Sequence, residues 1–320
     1  MSTVLIAGGA GFIGSHLLEK LLSEGYKVFA IDNLITGSKR NIDKFASNSS
    51  FEFIERDVTK DLSDLKDKLS AVEFIFHLAS PASPNRKSLK SYINFPIETL
   101  LANSVGTYNL LTLSNDLKAK FLFASSSEVY GDPSVTPQPE DYFGNVNPNG
   151  VRSVYDEGKR FGEAVTMGFV RKHGVDARII RIFNTYGPNM QKDDGRVVSN
   201  FINQALEGNP ITVYGDGSQT RSLCFISDLI EGITKAMFSD GTAGEVINLG
   251  NPNEKTILEV ANLIKELVGS SSEITFEQLP QDDPKRRNPD IAKAKRLLSW
   301  EPQVNLEEGL KNTIEYFKSI

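Results

Sequence analysis

Apolar residues along the chain fall into short dense runs separated by amphipathic stretches. TVLIAGG (3–9), KVFAIDN (27–33), FEFIERDV (51–58), EFIFHLAS (73–80), KFLFASSS (120–127) and DARIIRIFN (176–184) are rich in β-branched and aromatic residues and read as strands. HLLEKLLSEG (16–25) has helical spacing and closes on a glycine, and helical patterns recur near 96–116 and 155–174. Near-continuous apolar strands alternating with helices predict a parallel sheet covered on both faces. That is an α/β, doubly wound, Rossmann-type fold, whose ligand crevice lies at the carboxyl ends of the strands.

After about residue 185 the texture changes. Turn clusters appear at GPNMQKDDG (187–195), YGDGSQT (214–220) and LPQDDPKRRNPD (279–290), while EVINLG (245–250) reads as a strand returning to the main sheet. The expected division is a sheet domain of 1–184 plus about 222–251, and a smaller lobe of about 185–221 plus 252–320 that closes over the crevice. No internal repeat or low-complexity segment is present. A net charge of −6 over 320 residues disfavours a nucleic-acid surface. A single cysteine, Cys224, excludes a disulfide framework and a cysteine-built zinc site. His16, His77 and His173 show no metal-ligand spacing, so no metal is expected. The first residues have no basic n-region and no apolar run is long enough to span a bilayer, so a cytoplasmic protein without membrane contact is expected.

GGAGFIG (8–14) places Gly8, Gly11 and Gly14 three apart, between the first strand and the first helix. Glycines there allow a tight turn and close approach of a pyrophosphate to a helix N-terminus. The second strand ends in Asp32, eighteen residues after Gly14, where a carboxylate can accept both ribose hydroxyls and repel a 2′-phosphate. NAD is therefore expected ahead of NADP. Lys39 and Arg40 could meet a 2′-phosphate or equally the adenosine diphosphate of NAD. Asp57, at the end of the third strand, is either an adenine contact or a turn residue. LASPASP (78–84) either lines the nicotinamide ribose or forms a proline turn. The expected cofactor set is Gly8, Gly11, Phe12, Ile13 and Gly14, then Asp32, Asn33, Thr36 and Gly37, then Asp57, Val58, Leu78 and Ala79, completed by Tyr155 and Lys159.

Tyr155 and Lys159 are four apart in a helical stretch and so share one face. A free phenol is too weak an acid to act as a base at neutral pH, and a neighbouring ammonium lowers its pKa. The pair could draw a proton from a hydroxyl while hydride leaves the attached carbon. An exposed helix pair is the plain alternative. The serines 125–127 at the end of the preceding strand favour the chemical reading.

Taken together, the glycine turn, these serines and Tyr155-x-x-x-Lys159 resemble the extended short-chain dehydrogenase/reductase family, and most closely its UDP-glucuronate decarboxylase branch. The resemblance runs nearly end to end, through HLASPASP (77–84), SSSEVYGDP (125–133), YDEGKR (155–160), IFNTYGP (182–188), DGRVVSNFI (194–202), TVYGDGSQTRSLCFISDL (212–229), NLGNP (248–252) and DDPKRRNPDI (282–291). It implies oxidation of a nucleotide sugar at C4, loss of carbon dioxide from the resulting β-keto acid, and return of the hydride to give UDP-xylose with NAD recycled. In the family, the residue after the strand-end serine sorts the reactions, and Ser127-Glu128 matches the decarboxylases. Ser126 or Ser127 would bond the C4 oxygen, and Glu128 would act on the carboxylate or an ordered water. Arg221 matches an arginine placed near the sugar carboxylate. Asn184, Arg196, Val198, Asn200, Gln204 and Tyr214 match nucleotide-sugar contacts, with Arg286 or Arg287 on the diphosphate. One segment departs from the pattern: NRKSLKSYINF is longer than the usual loop, and Leu101 stands where the family has a substrate-facing lysine, a role Lys87 or Lys90 could assume. Helices 96–116 and 155–174 are expected to pair into a four-helix homodimer interface, the plain alternative being burial against the sheet. Two other readings stay open: a 4-epimerase or 4,6-dehydratase of the same fold, and a non-catalytic NAD-binding scaffold, against which the intact Tyr155/Lys159 pair argues.

Overall fold

The computed structural model describes residues 1–85, 88–279 and 286–320. Its strands are β1 (Thr3–Ala7), β2 (Lys27–Asp32), β3 (Phe51–Glu55), β4 (Val72–His77), β5 (Lys120–Ser126), β6 (Ala177–Ile182), β7 (Thr185–Tyr186), β8 (Ile211–Tyr214), β9 (Thr220–Ser222), β10 (Cys224–Phe225), β11 (Val246–Leu249), β12 (Glu254–Thr256) and β13 (Ile274–Glu277). Its helices are α1 (Phe12–Ser23), α2 (Pro96–Asn103), α3 (Val105–Leu117), α4 (Ser153–His173), α5 (Val197–Glu207), α6 (Ile226–Phe238), α7 (Ile257–Val268), α8 (Ala292–Leu298) and α9 (Leu306–Lys318).

Seven strands form one parallel sheet in the order β11-β6-β5-β4-β1-β2-β3. The order reverses direction between β1 and β4, which opens the crevice expected of a doubly wound sheet. Strand alternation feeds two cores. Val4 and Ile6 of β1 pack with α1 and α6 on one face, while Leu5 and Ala7 pack with α3 and α4 on the other. Each fully buried aliphatic side chain contributes about 1.5–3 kcal/mol through lost apolar exposure. The returning strand β11 pairs with β6. Beyond it, the parallel pair β8–β13 packs with α5 and α7, the latter started by a reciprocal Thr256/Glu259 capping box. The indole of Trp300 donates to Asp228 O at 2.9 Å and ties the C-terminal segment to α6.

Three boundaries differ from the pattern reading. The first helix starts at Phe12 rather than 16, because Gly11 turns the chain into helix directly after β1. The single helix expected over 96–116 is two helices, broken at Ser104 (φ −106°, ψ −77°). There the Ser104 and Thr107 hydroxyls bond back to the carbonyls of Leu100 and Asn103 at 2.6 and 2.7 Å, which competes with the helical ladder. The strands also end one to three residues before the apolar runs do, since their last residues turn into the crevice.

Helix α4 sits unusually close to β5. A Cβ added at Gly162 would lie 2.2 Å from Cζ of the fully buried Phe123 ring. Helix propensity alone makes Gly162→Ala stabilising by up to about 1 kcal/mol, whereas overpacking a closed core costs about 1–3 kcal/mol. We expect the clash to win: a thermal melt should show Gly162→Ala less stable than wild type, and a higher midpoint would mean that the helix-strand contact yields.

Candidate active site

Two cavities lie along the carboxyl edge of the sheet. The larger, about 540 Å³, lies between the ends of β4–β6, α4 and residues of the segment 184–223, with Ile257 and Arg287. The smaller, about 310 Å³, lies between the ends of β1–β3 and α2. Leu78 and Ser80, just after β4, line both, so the two meet at the point where the sheet order reverses.

In the larger cavity the first turns of α4 face the end of β5. Tyr155 and Lys159 are both buried and both line it. Lys159 Nζ donates to Ala124 O at 2.8 Å and stands 5.5 Å from the Tyr155 ring centre. Ser126, at the end of β5, lines the same cavity as the Tyr155 phenol. Burial pushes the Tyr155 phenol up to about 12, while the Ser126 contact pulls it down. Burial draws the Lys159 ammonium down to about 7, opposed by Glu163. Burial therefore outweighs the phenol-lowering expected of the lysine. Glu163 is itself locked by Arg181 at 2.8 and 2.9 Å and by the Ser125 hydroxyl at 2.6 Å.

Glu128 is the second residue of the 3-10 turn Ser127–Tyr130 that follows β5, and Ser126 caps this turn by accepting from Glu128 N at 3.2 Å. The Glu128 carboxylate enters the cavity. Arg152 donates to its Oε2 through Nη2 at 2.6 Å and Nε at 3.2 Å, and an Arg287 Nη2 lies 3.5 Å from the same oxygen. Burial would raise this carboxyl, but Arg152, Arg287 and Arg221 outweigh it and hold it well below the usual range. Arg287 also donates to Ser127 O at 2.6 Å. Behind Glu128, out of the cavity lining, lies the buried carboxyl of Asp156. Burial first, and then the charge of Glu128, push it well above the ordinary aspartate range. Tyr92 completes the wall, its ring stacked on Tyr155 at 5.0 Å and 12°.

This geometry can be set beside known proteins. The pattern of the NAD dependent epimerase/dehydratase family matches residues 4–250. The chain belongs to this family. UDP-glucuronic acid decarboxylase 1 of Xenopus tropicalis is 51% identical over 98% of this chain and 72% of its own length. UDP-glucuronic acid decarboxylase 5 of Arabidopsis thaliana is 50% identical over 98% of this chain and 89% of its own. The UDP-glucuronic acid 4-epimerase of Bacillus cereus, solved with UDP-glucuronic acid and NAD, superposes with a TM-score of 0.87 at 31% identity, covering 99% of both chains.

The family's cofactor is NAD, and the smaller cavity fits it. A Cβ at Gly8 (φ +85°) would lie 2.7 Å from Ala79 N, and one at Gly14 would lie 2.1 Å from Gly8 O. Positions 8 and 14 are thus closed to any side chain. Gly11 caps α1 with no side chain on its first amides, which leaves the helix end to an anion. Asp32 lines this cavity and accepts from Ala10 N at 3.1 Å and Leu34 N at 2.8 Å, with acceptor capacity left for ribose.

Gly8, Gly11, Asp32, Asn33, Thr36, Gly37, Asp57, Val58, Leu78 and Ala79 line the smaller cavity, and Ile13 the larger. Phe12 and Gly14 line neither: Phe12 packs edge-on against His16, and Gly14 lies beneath Gly8. Lys39 pairs with Glu55, and neither it nor Arg40 lines a cavity. Ser126, Ser127, Asn184, Arg196, Val198, Asn200, Tyr214 and Arg221 line the larger cavity. Gln204 does not, because its amide is spent on Thr212 at 3.0 and 3.2 Å. Of the two adjacent arginines, Arg286 points out to Glu254 at 2.6 Å with its side chain 54% exposed. Arg287 is only 2% exposed and faces the cavity. Lys87 lies outside the described residues, and Lys90 does not line the cavity. Tyr92, Arg152 and Asp156 were not singled out from sequence. Arg152 carried a usable signal, since it lies one helical turn before Tyr155.

Burial raises the Asp32 carboxyl above its ordinary value. As pH falls through that raised value, the carboxylate becomes a neutral acid and a ribose acceptor is lost. NAD affinity should therefore weaken on acidification, starting nearer neutrality than an exposed aspartate would allow. Asp32→Asn should bind NAD about tenfold or more weakly, since a hydrogen bond to a charged group is worth about 1.5–3 kcal/mol. The variant should lack the acid limb; calorimetric titration over pH reads both effects.

Proposed function

We propose that the chain is a UDP-glucuronate carboxy-lyase that forms UDP-xylose and carbon dioxide and regenerates its NAD in every turnover. The observation that carries this reading is the single cavity in which a buried Tyr155–Ser126–Lys159 set faces a carboxylate, Glu128, held ionised by arginines. Relatives near 50% identity over 98% of this chain bear the decarboxylase name, whereas the 4-epimerase of known structure stands at 31%.

Tyr155 is placed to take the proton of the sugar's C4 hydroxyl, with Ser126 sharing that oxygen and Lys159 compensating the phenolate. NAD, when bound, accepts the hydride of C4 and later returns it. The C4 ketone makes the sugar a β-keto acid, so the C5–C6 bond breaks with its electron pair delocalised into the carbonyl. Ser127 and Arg287 fix the turn that aims Glu128 at this carboxylate. Asn184, Arg196, Val198, Asn200, Tyr214 and Arg221 would hold the nucleotide sugar, the lobe of 185–221 and 252–320 closing on the sheet domain of 1–184 and 222–251. Gln204 and Arg286 are outside this set.

The protein would act as a homodimer. Val105 and Tyr108 on α3 and Phe161 on α4 are exposed apolar side chains, whereas Ile97 and Leu101 of α2, also exposed, line the smaller cavity. Cys224 is buried with no disulfide partner among the described residues, which suits a reducing compartment such as the cytoplasm. None of the described helices is long and apolar enough to cross a membrane.

Incubation with UDP-glucuronate should release carbon dioxide and UDP-xylose; formation of UDP-galacturonate alone would overturn the reading. Tyr155→Phe should lower kcat by about 100-fold or more while UDP-glucuronate still binds within a few-fold of wild type. In sedimentation, the protein should run near twice 35.3 kDa, and the double variant Tyr108→Glu with Phe161→Glu near the single value.

A further inference from the structure

The reading above leaves one proton without a source. The proton that Tyr155 removes from the C4 hydroxyl must go back to that oxygen when hydride returns. Loss of carbon dioxide leaves an electron pair on C5, which needs a different proton. Arginine is too basic to give one readily. Glu128 is the one carboxyl group among the described residues lining the cavity, yet Arg152 and Arg287 crowd its Oε2 and hold it ionised. By itself it has nothing to give.

Asp156 changes this. It sits in the first turn of α4, 6% exposed, with its carboxyl against that of Glu128. Its Oδ1 is buried and has no hydrogen-bond partner. Two carboxylates in contact are both acceptors, and a hydrogen bond between them exists only if one carries a proton. The groups that act on Asp156 are Glu128 from the turn after β5, Arg152 ahead of α4, Arg287 from the C-terminal segment, Tyr92 from the loop after β4 and Tyr155 beside it. None of these competes with Glu128 as an acceptor for an acidic proton.

We infer that Asp156 and Glu128 share one proton, and that this pair supplies the proton C5 takes up after decarboxylation. The inference rests on the carboxy-lyase reading. In this step the C5–C6 bond breaks and carbon dioxide leaves. The enolate carbon then takes the shared proton through Glu128, and the pair remains as two carboxylates facing Arg152 and Arg287. A solvent proton restores it, so one proton is consumed per carbon dioxide released. Asp156 does not line the cavity, so it acts through Glu128 as a positioning and proton-holding residue.

Asp156→Asn tests this, because the amide can still donate to Glu128 but has no proton to transfer. Wild-type kcat should fall as pH rises from neutral through the alkaline range, where the pair loses its proton. The variant should lose about 100-fold or more in kcat, keep KM for UDP-glucuronate within about threefold, lack that alkaline limb, and accumulate reduced dinucleotide during turnover. An unchanged rate, or a loss with the wild-type pH profile retained, overturns the inference. A second measurement needs neither variant nor activity. Infrared difference spectra of the wild-type protein should show a protonated carboxylic acid at neutral pH that disappears at alkaline pH; absence of that band also overturns the inference. Failure of wild-type protein to release carbon dioxide would instead remove the carboxy-lyase reading and leave the infrared result standing.

Discussion

The contact between α4 and β5 governs the site. Gly162 lets the helix lie on the Phe123 ring with no side chain between them. One turn earlier, Lys159 reaches Ala124 O at 2.8 Å, and one turn before that Tyr155 meets Ser126. Three positions spaced by four and three on one helix thus register against the last residues of one strand. A larger residue at 162 would move all of them together, and catalytic alignment tolerates little displacement: an error near 1 Å can cost about 100-fold in rate. The sheet matters to function mainly because it makes this register rigid.

Burial raises the electrostatic stakes in the same place. Removing one partner from a buried ion pair costs about 3–5 kcal/mol, since the charge left behind is neither solvated nor paired. Glu128 is held by Arg152 and approached by Arg287, from segments 24 and 159 residues away (152 − 128 and 287 − 128). The cluster therefore joins the strand end, the start of α4 and the C-terminal segment. Burial, and then the charge of Glu128, push the neighbouring Asp156 carboxyl up, while Arg152 and Arg287 oppose that shift.

The sequence reading reached most of the sheet because its central strands are buried on both faces and so are largely apolar, while the edge strand β3, only half-buried, still mixes aromatic and acidic residues. It also placed the glycine turn, Asp32 and the Tyr155/Lys159 pair, which are local patterns. It could not separate Arg286 from Arg287, since adjacent residues in an extended segment point to opposite sides and the choice depends on Glu254 and Ser127, both distant in the chain. Gln204 lies three residues beyond Phe201 on α5 and looked available, but Thr212 of β8 takes its amide. Tyr92 and Asp156 carry no local signature, for their meaning comes only from the neighbours the fold brings to them. The break at Ser104 was invisible to periodicity, because apolar spacing continues across it.

The meeting of the two cavities at Leu78 and Ser80 has a physical reason tied to the sheet order. Strands β1 and β4 are neighbours, but their following segments leave in opposite directions, so no connection covers the gap between them. Asn103 of α2 donates to the Ser80 hydroxyl at 2.8 Å and holds the segment after β4 down beside that gap. A molecule long enough to reach both cavities must cross here, with one end beside Asp32 and the other beside Tyr155. A dinucleotide held along this path would bring its hydride-carrying end beside the helix that bears Tyr155 and Lys159.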